Sequence, residues 1–75
     1  MKNQSNTPQL LEDDQIQLGI GYSSDKTLAR YFDTSRSTIW LWAREGRLPQ
    51  PVKLSTGSTR WSNSDISEFT KRAIS

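Results

Sequence analysis

The sequence predicts a small α+β domain, mainly helical, in which two helices joined by a tight turn are followed by a β-hairpin and a closing helix. Three observations predict it. Apolar residues recur at helical spacing in three stretches, around Leu28-Ala29-Phe32, Ile39-Trp42-Ala43 and Ile66-Phe69-Ala73. A turn of about three residues joins the helices of the first two stretches, which is the sequence form of a helix-turn-helix. Between the second and third, Pro49 and Pro51 bar a helix, and the apolar period changes to two.

The elements follow in order. Met1 to Thr7 is polar and rich in Asn, Gln and Ser, and Pro8 follows, so disorder is expected there. Gln9 to Leu18 places Leu10, Leu11, Ile16 and Leu18 around an acidic cluster, a pattern too weak to assign. Gly19-Ile20-Gly21 interrupts it. Residues 1–20 are therefore expected to be a flexible polar and acidic tail, and residues 21–75 the folded domain. Tyr22 and Ser23 lead into the first firm helix, Ser24 caps it, and Asp25 suits the positive end of its dipole. Leu28, Ala29 and Phe32 face inward with Tyr31 beside them, and Asp33 sits where the helix must stop.

Ser35 is a good N-cap and Gly46 a good residue just past the C-terminus of the next helix. Ile39, Trp42, Ala43 and Gly46 line its inner face. Its outer face carries Ser37, Trp40, Leu41 and Arg44, with Arg36 near the entry. Residues 52–61 read as a hairpin with Val52, Leu54 and Trp61 toward the core and Lys53 and Arg60 on or near the outer face. Its loop is Ser55-Thr56-Gly57-Ser58. Ser62-Asn63-Ser64-Asp65 has the form of a capping box and opens a last helix with Ile66, Phe69 and Ala73 on one side. Lys71 and Arg72 lie where cations suit the dipole. Leu28, Phe32, Ile39, Trp42, Val52, Leu54, Trp61, Ile66 and Phe69 make one core, and the outline is that of a winged helix-turn-helix.

Composition narrows the chemistry. Seventy-five residues permit one small domain. With neither cysteine nor histidine, disulfides, thiolate metal sites and the commonest general base are absent. No phosphate-cradling glycine loop and no carboxylate pair on one predicted face occur, so neither an enzyme nor a cofactor or metal is expected. No apolar run approaches the roughly 20 residues that span a bilayer, and no secretory segment is recognisable. A cytoplasmic protein with no membrane role is the expectation. Charge is divided unevenly. Residues 1–21 carry Lys2 against Glu12, Asp13 and Asp14, a net −2. Residues 22–75 carry nine Lys or Arg against five Asp or Glu, a net +4. A basic folded part suits a polyanion.

The outer face of the 35–45 helix is the candidate site. It has two arginines, no carboxylate in its first two turns, and two large apolar residues, so another molecule is expected to cover it. A helix of this kind fits the major groove of double-stranded DNA, with Arg36, Ser37 and Thr38 at base edges or phosphate, Arg44 on phosphate and Trp40 against sugars. Thr38 has capping as its alternative role. Arg36 is unfavourable to its own helix by about 0.3–1 kcal/mol, which a phosphate or guanine would offset. The small wing tip, Ser55, Thr56, Gly57 and Ser58, suits the minor groove, with Lys53 and Arg60 pinning the flanking backbone.

Three segments resemble the AlpA-like phage regulatory proteins and excisionases, which have a MerR-type winged helix. Ser35-Arg36-Ser37-Thr38-Ile39-Trp40 is similar to that family's SRSTIY/W run. Glu45 to Leu54, EGRLPQPVKL, is close to its EGxFPxPVKL run, and Thr59-Arg60-Trp61 with Ser64-Asp65-Ile66 is similar to its RW…S-[DE]-[IV] run. Asp33 stands where the family usually has Gly and Thr34 where it usually has an aliphatic residue, which predicts a looser turn. Leu41 replaces a commoner basic or polar residue, which points it at a thymine methyl, a sugar or another protein chain. The resemblance implies a small DNA-binding protein that regulates phage or island genes, or bends attachment-site DNA and directs an integrase toward excision. The motifs do not separate the two roles. The implied partners are double-stranded DNA, a phage-type integrase and a second copy of the chain on DNA, on the bacterial nucleoid. Two other readings stay open. One is a protein–protein module using Trp40 and Leu41. The other is the DNA-recognition domain of a terminase small subunit, which expects a longer C-terminal assembly domain.

Overall fold

The computed structural model describes residues 11–74. The expectations for Met1 to Thr7 and for Leu10 lie outside these residues. The order is α1 (Glu12–Leu18), β1 (Tyr22–Ser23), α2 (Asp25–Tyr31), α3 (Arg36–Arg44), β2 (Val52–Ser55), β3 (Ser58–Ser62) and α4 (Asn63–Ile74). It is a winged helix-turn-helix of the α+β class, with an antiparallel sheet ordered β1-β3-β2. The sheet has one strand more than the hairpin. Tyr22 and Ser23 pair with Ser62 and Trp61 instead of continuing into α2.

Local chemistry places the helix ends. Ser24 and Ser35 accept the backbone N–H groups of Thr27 and Thr38 through their hydroxyls. Past α3, Arg47 N–H reaches Trp42 C=O at 2.9 Å and Gly46 N–H reaches Ala43 C=O at 3.2 Å, with Gly46 at φ +78°. This paired closure satisfies carbonyls the helix leaves open. The turn after α2 closes in the same way: Thr34 N–H to Ala29 C=O at 2.8 Å and Asp33 N–H to Arg30 C=O at 3.2 Å. Asp33 itself adopts φ +57°, so the turn forms without glycine. Aspartate tolerates this conformation better than most residues do.

The core holds Ile16, Leu28, Ala29, Ile39, Ala43, Leu48, Trp61 and Ile66, with Tyr31, Phe32, Trp42 and Phe69 packed against it. Phe32 makes edge-on contacts with Tyr31, Trp42 and Phe69 at centroid distances of 5.1–6.3 Å. Two expected members are missing. Val52 and Leu54 are 41% and 51% exposed. Val52 lies opposite Arg60, so it shares the sheet face that Trp61 turns away from, and Leu54 falls where the β2–β3 register shifts. Leu48 fills the space instead. Its N–H bonds Trp42 C=O, while Trp61 Nε1 donates to Pro49 C=O at 2.7 Å and Gln50 Nε2 donates to Ala43 C=O at 2.6 Å. These bonds fold the loop after α3 back onto the core. Ala73 is exposed and leaves the inner face of α4 to Ile66 and Phe69.

The core also reaches back beyond the boundary expected near Ile20. α1 packs on α4 and buries Ile16 completely. A Cβ on Gly19 would approach Ser64 Cα to 3.2 Å, so glycine lets the two segments meet. Ser67 Oγ donates to Gln17 C=O, and Arg30 forms an ion pair with Glu12. Asn63, expected inside a capping box, instead has a buried side chain: Nδ2 donates to Ile20 C=O at 2.7 Å and Oδ1 accepts Ser23 Oγ at 2.6 Å. Its backbone N–H reaches Gly21 C=O, so one residue ties the α1–β1 connection to the start of α4.

Candidate nucleic-acid interface

The outer face of α3 forms as the periodicity predicts. Ser37, Trp40, Leu41 and Arg44 line a shallow open depression of about 460 Å³. Trp40 and Leu41 are 42% and 38% exposed. No acidic residue lies within α3. A second depression, of about 350 Å³, lies between the loop after α3 and α4, and Asp65 and Glu68 line it together with Arg47 and Arg72, so its charges are mixed.

Arg36 opens α3 with a partner. Its Nε donates to Asp25 Oδ2 at 3.2 Å, and its Nη2 lies 3.2 Å from the same oxygen. Trp40 Nε1 donates to that oxygen at 2.8 Å. The other carboxylate oxygen accepts the backbone N–H of Lys26 at 2.7 Å. Burial alone would push the carboxyl of Asp25 up, because it disfavours the charged form. The bonds from Trp40, Arg36 and the Lys26 amide, with the charge of the guanidinium, outweigh burial and hold the carboxyl below its usual 3.8. The carboxylate side chain is 16% exposed and the guanidinium side chain 66% exposed. The pair therefore presents the arginine outward and keeps the acid behind it. Arg36 thus differs from a solvated first-turn cation, and the indole N–H of Trp40 is engaged by Asp25.

Thr38 is half-buried. Its hydroxyl lies 2.9 Å from Ser35 Oγ, in the capping arrangement, and not on the open face. Arg44 is exposed on the last turn of α3.

Trp40 also joins α3 to the wing. Its ring packs against Trp61 of β3 with centroids 4.8 Å apart and planes tilted by 59°. Lys53 pairs with Thr59, and Val52 with Arg60. Residues directly opposite in an antiparallel pair share a face, and neighbours along a strand alternate. Lys53, Thr59 and Trp61 therefore share the sheet face toward Trp40, and Arg60 lies on the other. The expectation that Lys53 and Arg60 share one face is corrected by this register. Arg60 Nη1 donates to the carbonyl of Thr59 at 2.9 Å. The wing tip is a turn at Thr56-Gly57 closed by Ser55 and Ser58, with Gly57 at φ +80°. Ser55, Thr56 and Gly57 are exposed and Ser58 is half-buried.

Asp25 is the residue that sequence reasoning assigned only to the helix dipole. Its partners lie 11 and 15 residues away, and no local pattern joins them.

Among the described residues no cluster of His, Cys, Asp or Glu suits a metal ion. No helix there is long and apolar enough to cross a membrane. Residues 31–74, more than half of the chain, match the family model described as Prophage CP4-57 regulatory protein (AlpA). The match runs from the end of α2 through α3, the wing and α4. Searches of curated proteins and of solved structures gave no match.

Proposed function

The chain belongs to the AlpA family of prophage regulatory proteins, and from that premise we propose that it binds double-stranded DNA sequence-specifically, as an excisionase, a transcriptional regulator or both. The observation that carries this reading is the Trp40–Trp61 contact, because it sets the outer face of α3 and the Lys53 face of the wing on one side. Nine residues of α3 span about 13 Å at 1.5 Å per residue, and the major groove is about 12 Å wide. Arg36 and Ser37 then reach base edges, and Arg44 reaches phosphate. Leu41 meets a thymine methyl or a sugar. Thr38 acts through the cap. The tip at Ser55, Thr56, Gly57 and Ser58 enters the minor groove. A ribbon in a groove meets a backbone wall on each side, so Lys53 and Arg60, on opposite faces, grip one wall each.

The test is titration of the full chain with duplex oligonucleotides across a range of salt. Binding whose logarithm falls linearly with the logarithm of salt concentration supports the reading. A flat titration in dilute buffer ends it. Footprinting on an attachment region and the adjoining promoter separates the roles. Protection between the integrase core site and its arms indicates excision, with an integrase and a second copy of the chain as partners on DNA. Protection over the promoter alone indicates regulation. The exposure of Trp40 and Leu41 favours one other reading, a protein-docking surface; binding to a partner protein that salt hardly weakens would select it.

A further inference from the structure

We propose that Asp25 is a positioning residue that sets base readout by Arg36, fixing the guanidinium so that its two-Nη end faces a guanine. This rests on the DNA-binding reading above. Arginine carries five N–H donors in a planar fork. Asp25 Oδ2 takes the Nε edge and lies against Nη2. The donors left pointing outward are those of Nη1 and the second hydrogen of Nη2. Two donors side by side match the N7 and O6 acceptors that guanine alone shows in the major groove.

The carboxylate is itself held. The Trp40 indole N–H and the Lys26 amide each occupy one of its oxygens, and the Trp40 ring rests on Trp61 in the core. A chain of contacts thus runs from the buried sheet to the tip of an exposed arginine. Unheld, that long side chain would sample many rotamers and present its several edges in turn.

Electrostatics separates positioning from two alternatives. A carboxylate beside bound DNA repels phosphate, so its removal strengthens binding to duplex of any sequence. A carboxylate that merely competes with DNA for Arg36 would, when removed, also strengthen binding to the preferred site with its base preference intact. A positioning carboxylate gives opposite signs: random duplex is bound as well or better, and discrimination falls.

The experiment uses the full chain. Duplexes are selected from a random library with the unaltered protein, and the best one is scanned with 7-deazaguanine, which lacks the N7 acceptor. At one guanine the unaltered protein is expected to lose about tenfold in affinity, within the range of one bidentate contact. In Arg36→Ala that penalty vanishes. In Asp25→Ala it shrinks to less than about threefold, while affinity for random duplex is unchanged or higher; this coupling between a protein and a base substitution is a double-mutant cycle. Asp25→Asn, which keeps the shape, shows the same direction, with thermal melts of both variants confirming folded protein. A penalty of full size in both Asp25 variants, or a selected duplex bound more tightly by them, overturns the proposal and leaves the Arg36 contact standing. A penalty that survives Arg36→Ala, or a scan with no sensitive guanine, overturns the base contact itself.

Discussion

α3 and α4 are built alike on their inner sides and differently on their outer sides. Each buries an isoleucine, Ile39 or Ile66, and lays an aromatic residue, Trp42 or Phe69, against the common core. The outer side of α4 mixes signs along its own length, with Asp65 and Glu68 followed by Lys71 and Arg72. Such a face carries both charges within its own length, and its cations sit at the helix end that favours them. The outer side of α3 carries Trp40, Leu41 and Arg44 and no carboxylate of its own. Arg36 sits at the end of α3 that disfavours a cation, and the acid that answers it comes from α2. A solvated helix face balances its charge within a few residues. The outer face of α3 takes its balancing charge from outside the helix, from Asp25, which leaves a cation both held and presented.

The largest test removes what the two helices share. Trp61→Ala deletes a fully buried indole, its bond to Pro49 and the seat of Trp40. Truncating a buried aromatic costs about 3–5 kcal/mol, close to the whole stability of a small domain. Loss of the cooperative thermal transition is expected, and a retained sharp melt would show that the wing is not a structural partner of α3.

Next in size is Arg36→Ala. Specific affinity should fall by about 1–3 kcal/mol, the scale of a bidentate base contact, while an exposed ion pair contributes at most about 1 kcal/mol to stability. Affinity and melting measured together decide the matter. A thermal midpoint that falls while affinity holds would turn Arg36 into a structural residue.

A smaller effect sharpens the contrast between the two outer faces. Lys53→Ala should weaken binding to all duplexes alike and reduce the salt slope by about 0.9, the share of one phosphate. Lys71→Ala on α4 should change neither. Equal losses from the two substitutions would mean that the interface wraps around the domain.

The smallest concerns pH. The carboxyl of Asp25 titrates below its usual 3.8 in the folded chain, so the folded state favours its charged form. Its contribution to stability is complete above 3.8 and is lost as pH falls through the lower, folded value. Acid unfolding followed by circular dichroism should therefore be shallower below pH 3.8 in Asp25→Asn than in the unaltered chain. Identical acid limbs would mean that the bonds from Arg36 and Trp40 do not favour the carboxylate.

Much of the fold was legible because it is written over short distances. A cap needs Ser24 and Thr27, or Ser35 and Thr38, three residues apart. The inner and outer faces of α3 follow from a period of 3.6, and the depression formed by Ser37, Trp40, Leu41 and Arg44 is that period made visible. The wing was legible as an alternation but not as an orientation. Either face of Val52-Lys53-Leu54 could have turned inward, and a register with Val52 opposite Arg60 chose the one that leaves Val52 and Leu54 outside.

The amino-acid order by itself determined where α2 and α3 begin and stop, which side of α3 is left uncovered, and the family the chain belongs to. All of these depend on residues within a turn or two of each other, or on motifs read in line. Only the tertiary structure decided that Ile16 and Leu48 complete the core, that Asn63 holds Ser23 and the Ile20 carbonyl from about 40 residues away, and that Asp25 grips Arg36 and Trp40. Those partners meet because apolar burial draws the helices and sheet together without regard to sequence distance. Once the elements are in place, each buried polar group must find its hydrogen bond among whatever neighbours it has been given.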